Sequence, residues 1–337
     1  MGLTFAGYPL EFLDGASLGQ TTADGVLEVT LPRGSYLFVL RREGFVPVRY
    51  PVSVPSETRR FEVRLLPEED IPEGFVYIPK GPFSSGGDRD AYLSLDRQDV
   101  EVEDFFIGEH EVTIGEYLEF IKYISSRIDE DGWAEPLSDW DSPELKPYLS
   151  SELVKNRRIR VIPRYRGRDY IRKVDGEWRA GVNLDFPVLA VSVLASMDYA
   201  LWLGRKHDGR WRFRLPRDLE WEKAARGVDR RTFVWGDYLL LTFCRSQKST
   251  YPEMGREREY IGLYPFDESV YGVRDLAGSM QEPTSELVEE FRLSVMRGGE
   301  WSTVDDRDFR IATRNRQRPE NIFGTVGLRL AADLPGQ

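Results

Sequence analysis

Two hydrophobic periods divide the chain. Through residue 67, apolar and polar positions alternate in short runs. Leu27-Glu28-Val29-Thr30-Leu31 alternates, Pro32-Arg33-Gly34 turns the chain, and Tyr36 to Leu40 follows. A turn at Glu43-Gly44 leads into Val46 to Val54, and Phe61-Glu62-Val63-Arg64-Leu65 alternates again. Period-two runs separated by Gly and Pro put successive side chains on opposite faces of strands, so residues 1–67 are expected to form a small all-β sandwich. Residues 68–74, acidic and marked by Pro72, read as a linker, and a second domain is expected over 75–337.

The period then becomes helical. Ile114, Tyr117, Leu118, Ile121 and Ile124 share one face, and Thr113 with Glu116 three positions on forms a capping box. Ser192 is expected to cap a second helix through about Lys206, with Met197, Ala200, Leu201 and Leu203 inward. A third runs from about Asp218 to Arg226, acids leading, bases closing and Gly227 ending it. Between the first two, residues 127–185 read as a loop-rich insertion. It holds a hairpin from Tyr170 to Ala180 turned at Asp175-Gly176, and Trp133 and Trp140 are expected to pack it. Beyond the third helix, Gly-rich sequence predicts short strands and loops.

Composition narrows the classes. The chain has 337 residues, 41% hydrophobic, with a mean hydropathy of −0.45, as globular proteins have. Its net charge of −11 argues against a nonspecific nucleic-acid binder, which needs a basic field. No apolar run reaches the roughly 18 residues of a membrane helix, and the start lacks a basic stretch followed by an apolar one. A cytoplasmic protein without membrane contact is expected. Arg outweighs Lys and Asn is scarce, as in a GC-rich or thermophilic bacterial source. The single cysteine, Cys244, permits no intrachain disulfide or Cys-rich zinc site and is expected to be a buried small residue. His110 and His207 are too few for a three-His site. Asp305, Asp306 and Asp308 are expected to form a solvated loop with Arg307 and Arg310. Residues 292–329 hold eight Arg against five acids, a local surplus that would attract an acidic partner.

Several stretches of the second domain carry a resemblance. They are Phe75-Val76-Tyr77-Ile78-Pro79 with Gly86-Gly87-Asp88, Phe106-Ile107-Gly108-Glu109-His110-Glu111-Val112-Thr113, and Pro187-Val188-Leu189-Ala190-Val191-Ser192. Then come Glu220-Trp221-Glu222-Lys223-Ala224-Ala225-Arg226-Gly227, Tyr271-Gly272-Val273-Arg274-Asp275-Leu276-Ala277-Gly278, Arg297-Gly298-Gly299-Glu300-Trp301 and Gly327-Leu328-Arg329-Leu330. In this order and spacing, residues 72–333 resemble the formylglycine-generating enzyme, or sulfatase-modifying factor, family. The resemblance implies a C-type-lectin-like α+β fold, in which Arg297, Arg310, Arg314 and Arg329 are framework residues in buried ion pairs. Residues 19–45 resemble PEGA-like and carboxypeptidase-regulatory-like sandwiches, which act as spacers or docking pieces.

The chain departs from the family where its chemistry resides. Formylglycine generators place two copper-binding cysteines just beyond Arg-Gly-Gly-x-aromatic. Here Trp301-Ser302-Thr303-Val304-Asp305-Asp306-Arg307-Asp308 holds none, and hydroxyls and carboxylates do not replace a soft thiolate for copper(I). The family's calcium motif is altered too: Ser279 and Pro283 stand where Asn and Trp are expected, and Glu282 remains as the calcium candidate. The expected protein is therefore not an enzyme, with no catalytic residue and no cofactor unless calcium binds. It is expected to be a non-catalytic module that binds a protein or other macromolecule through its C-terminal loop face. The residues expected on that face are Glu300, Ser302, Thr303, Val304, Arg307, Thr313, Arg316, Gln317, Ile322 and Phe323. One version is a variable protein of a diversity-generating retroelement. Two readings stand beside it: a sensory or docking domain of a bacterial Ser/Thr kinase pathway, and a metal-dependent oxidase.

Overall fold

The computed structural model describes residues 17–22, 25–54, 58, 60–249, 260–288 and 290–336. Helix α1 (Ile114–Tyr123) starts at the expected capping box. The Thr113 hydroxyl accepts from Glu116 N, and the Glu116 carboxylate accepts from Thr113 N at 2.7 Å. A short helix, α2 (Ser151–Asn156), lies in the insertion. Ser192 caps α3 (Val193–Lys206) by accepting from Ala195 N. The buried face of α3 carries Leu194, Ala195, Tyr199 and Trp202, while Leu201 is 37% exposed, contrary to the expected inward set. The true stripe runs 195, 199 and 202, and Leu201 points about 120° away from it around the helix. Helix α4 (Asp218–Arg226) ends at Gly227, whose φ of +68° favours glycine.

Helices α1 and α3 meet through aromatic rings. Tyr117 stacks on Tyr199 at 5.6 Å, and Phe120 meets Tyr199 edge-on. The Tyr117 hydroxyl donates to Val161 O, which ties the insertion to this core. Ala134, Leu145, Tyr148, Ile159, Val161, Tyr170 and Ile171 are buried in the same cluster, so residues 127–185 share the main core. Their hairpin pairs Ile171–Val174 with Glu177–Ala180, as expected. Trp140 packs against the core, whereas Trp133 is 39% exposed.

A four-stranded antiparallel sheet runs in the order Phe213–Arg214, Ala331–Ala332, Phe105–Gly108, Phe75–Ile78. A three-stranded sheet pairs Glu282–Val288 with Leu293–Arg297 and that strand with Asn315–Gln317. A second core cluster lies under α4 and includes Trp221, Trp235, Leu276 and Phe309. No helix among the described residues is long and apolar enough to cross a membrane.

In residues 17–67 the described ladder is one hairpin, Gly34–Leu40 against Val48–Val54. Leu27–Leu31 and Phe61–Leu65, expected as strands, lie outside any described ladder. The expectation for residues 1–16 falls outside the described residues. The hairpin packs on the rest of the chain: Val48 and Leu66 are buried in the main core, and Arg49 pairs with Glu268 at 2.7 Å.

Trp301 is 4% exposed, and its indole donates to Gly324 O. Trp301→Ala is expected to cost about 3–5 kcal/mol, read from the denaturant midpoint. An unchanged midpoint would mean the indole is not part of the core.

Candidate ligand-binding face

The C-terminal segment hangs from a buried ionic frame. Asp218 and Glu222 lie one turn apart on α4. Arg297, fully buried, donates to Asp218 and to Glu222 at 2.9 Å, and to the carbonyls of Ile311 and Thr313. Arg314 donates to the other Asp218 oxygen at 2.8 Å. Glu222 also accepts from Gly86 N and pairs with Arg226. A second frame forms at Arg329, which pairs with Glu282 at 2.7 Å and donates to the carbonyls of Gly108, Glu109 and Arg274. These arginines are framework residues, as the resemblance implied. The motif's glycines have a steric reason: a Cβ on Gly299 would lie 2.5 Å from Ala277 O, and Gly298 has φ +76°.

On this frame the expected face residues fall into separate groups. Glu300 accepts from Ser302 N and Oγ, and burial raises its carboxyl. The Thr303 hydroxyl donates to Asp308 at 2.8 Å, and burial raises that carboxyl too. Arg307 clamps Asp305, which holds the Asp305 carboxyl well below its ordinary range. The Arg307 guanidinium lies 4.4 Å over the Tyr92 ring, whose hydroxyl donates to Asp305. Arg310 pairs with Asp88 and Asp306. Val304 and Phe323 are 41% and 48% exposed. Ile322 is half-buried against the core, and Arg316 is half-buried on its strand.

Thr313 and Gln317 do not lie on the surface. Thr313 is fully buried, its hydroxyl donating to Arg307 O and accepting from Tyr92 N. Gln317 is 7% exposed because its strand pairs with Ser294–Met296 and turns that side chain inward. The structure adds two contributors that sequence reasoning missed. The loop 86–97 brings Tyr92 and Asp88 to the segment, and its only signal was the Gly86-Gly87-Asp88 turn. Tyr165, from the insertion, lies so close over Gly324 that an added Cβ would sit 2.4 Å from its ring. No period marked it.

Cofactor chemistry finds little purchase. Cys244 is buried, and burial raises its thiol well above the ordinary value, so it is a poor nucleophile. Glu282 spends its carboxylate on Arg329 and on the Trp221 indole. Among the described residues, no group of three or more His, Cys, Asp and Glu side chains is disposed to hold a metal ion. Glu282 as placed does not fit a calcium ligand, which needs free oxygen lone pairs in a set of about six or more.

These features define a mixed α+β domain of formylglycine-generating-enzyme type. Residues 64–334 match the sulfatase-modifying factor enzyme 1-like domain, and the chain belongs to that family. It is 26% identical over 281 residues to inactive C-alpha-formylglycine-generating enzyme 2 of Mus musculus, covering 76% of this chain and 85% of that protein. It is 28% identical over 295 residues to serine/threonine-protein kinase Pkn1 of Chlamydia trachomatis, covering 84% of this chain and 41% of the kinase. It is 25% identical over 310 residues to the formylglycine-generating enzyme of Thermomonospora curvata, covering 81% and 98%. Its relatives thus include both inactive and active forms. The solved structure of PvdO from Pseudomonas aeruginosa shares the fold, with a TM-score of 0.53 and 18% identity over 77% of this chain and 94% of its own.

Removing Asp218 strands the buried Arg314 guanidinium and takes one of two carboxylates from Arg297. Asp218→Ala is expected to cost about 3–5 kcal/mol in equilibrium unfolding. A loss no larger than that of a surface substitution would contradict the frame's role.

A pH dependence follows from two buried carboxyls and one half-buried histidine. Glu111 is buried, and burial followed by the Asp275 charge raises its carboxyl to about 8. Burial raises Asp267 to about 7. Burial opposes charge on His110, but hydrogen bonds to Asp275 and Glu109 outweigh it and raise the ring to about 9. All three bind protons more tightly folded than unfolded, so they favour folding at low pH and lose that effect as pH rises. The windows run from 4.5 to about 8 for Glu111, 3.8 to about 7 for Asp267 and 6.5 to about 9 for His110. Lys223, lowered by burial to about 8, acts in the opposite sense above that value. The melting temperature is therefore expected to fall between about pH 5 and 7, and Glu111→Gln to flatten the fall. A rise across that window would contradict these assignments.

Proposed function

We propose that this protein is a non-catalytic binding module. It presents Val304, Arg307 and Phe323, with Glu300, Ser302 and Arg316 beside them, to a protein ligand. The observation that carries the reading is the segment after Trp301. It holds no thiol, and its hydroxyl and carboxylate side chains are engaged with one another, as in the Thr303–Asp308 bond. Two large apolar side chains nevertheless stand exposed on loops braced from below. Exposed apolar groups on rigid supports are what a binding face needs, since little side-chain order is lost on association. The match to an inactive relative favours the same reading.

A kinase-pathway docking role is the second reading. It rests on the match to part of a Ser/Thr kinase. Diversification of the face by a retroelement is a further version. It is now confined to the accessible positions, since Thr313 and Gln317 are buried.

A photo-crosslinking amino acid placed at 304 and 323 tests the face. Position 238 is the control, because Tyr238 is 80% exposed elsewhere in the sequence. In extract of the source cells, 304 and 323 are expected to trap the same discrete protein, 238 to trap none of it, and Arg307→Glu to abolish the product. Identical products from all three positions, or none from the face, would remove the proposal.

A further inference from the structure

Residues 155–179 carry ten Lys and Arg against three acids, a surplus of seven positive charges in a chain of net charge −11. The fold places six of them, Arg164, Arg166, Arg168, Arg172, Lys173 and Arg179, on two adjoining hairpins. Arg164–Tyr165 pairs with Arg168–Asp169, and Ile171–Val174 pairs with Glu177–Ala180. Between them, Tyr170 N donates to Pro163 O and its carbonyl accepts from Gly181 N, which fixes the hairpins side by side.

Arg157, Arg158 and Arg179 pair with Asp141, Asp129 and Glu177, but four bases of the segment have no acid partner among the described residues. Asp169 is shared by Arg160 at 3.7 Å and Arg164 at 3.3 Å. Burial, and then the charge of Arg164, lowers the Arg160 guanidinium from its ordinary range. Lys155, Arg168, Arg172 and Lys173 are exposed, and none forms an ion pair among the described residues. Three of the eight arginines of residues 292–329 contrast with these: Arg297, Arg314 and Arg329 are buried against acids. The positive field of the insertion therefore points outward.

A groove of about 660 Å³ adjoins the second hairpin, between it and α1. Leu118, Trp178, Val182 and Leu184 supply its apolar lining, and Lys122 and Arg179 line it too. Glu177 is its acid, and that carboxylate is already paired with Arg179 at 3.0 Å. Arg168 donates to Gly181 O, one residue from Val182, which connects the first hairpin to the groove. The Trp178 indole N–H is buried without an acceptor.

We propose that this groove and the two basic hairpins dock an acidic segment of a partner protein. Its carboxylates would meet Lys122, Arg172 and Lys173, and its apolar side chains would pack on Leu118, Val182 and Leu184. The mixed lining favours a peptide over nucleic acid, whose phosphates gain nothing from Leu and Val. The rest of the chain carries −18, so a long polyanion would be repelled beyond the patch, whereas a short acidic segment covers the patch alone. None of the C-terminal face residues lines this groove, so the proposal stands or falls apart from the function proposed above.

Fluorescence anisotropy with the full chain tests it, using a labelled peptide of glutamates interrupted by leucines. Saturable binding is expected, weakening with added salt. Replacing Arg172 and Lys173 together with Glu is expected to weaken it about tenfold or more, because both charges reverse. Both side chains are exposed, so the variant is expected to keep the wild-type melting temperature. Should it fail to fold, Lys122→Glu on α1 gives the same reading from the other wall of the groove. Absence of saturable binding, or binding that these variants leave unchanged, overturns the proposal. Tighter binding of a labelled single-stranded DNA oligonucleotide than of the peptide also overturns it and assigns the patch to nucleic acid.

Discussion

The two carboxylates that α4 turns toward the core, Asp218 and Glu222, set the position of much of the C-terminal half. Between them they hold Arg297, Arg314 and Arg226 and the backbone N–H of Gly86. Each bond is made out of water, so every charge there must be matched or the fold loses several kcal/mol, about 3–5 for a broken pair. Such a frame adds little net stability over an apolar core of equal volume. What it supplies is register. Arg297 reads the carbonyls of Ile311 and Thr313, and Glu222 reads the start of the loop that carries Tyr92. The two loops that build the candidate face are thereby fixed to one helix turn.

The helices were legible because their signals are local. Thr113 with Glu116, Ser192, and Gly227 each act within a few residues, and each does in the structure what its spacing predicts. The hairpin at Asp175-Gly176 was legible for the same reason. The lectin-like architecture was not legible from periodicity, since its strands are short and its order depends on distant ion pairs. Only the ordered motifs carried it. Their glycines and arginines prove to be those that close approach and buried pairing require, as at Gly299 and Arg297.

The face was read less well, and the errors share one cause. Thr313 and Gln317 looked like loop residues because no apolar run surrounds them, yet tertiary hydrogen bonding and strand pairing bury both. Tyr92 and Tyr165 come from segments far away in sequence, and spacing says nothing of such contacts. The charge pattern was read only in part. The net charge of −11 and the local surplus of residues 292–329 both pass over residues 155–179, which hold ten bases and three acids. That segment has no apolar period of its own to draw attention to it.

Binding, and not oxygen activation, is the central claim, and it rests on the thiol-free segment behind Trp301. Its most direct test is metal content. The purified chain would be incubated with copper(I) and iron(II) under reducing conditions, passed through gel filtration, and assayed by mass spectrometry for metal per chain. The account predicts neither metal at stoichiometric level, because no thiolate or histidine cluster is disposed to hold one among the described residues. Stoichiometric copper or iron retained by the folded chain would contradict it and return the protein to the catalytic part of its family.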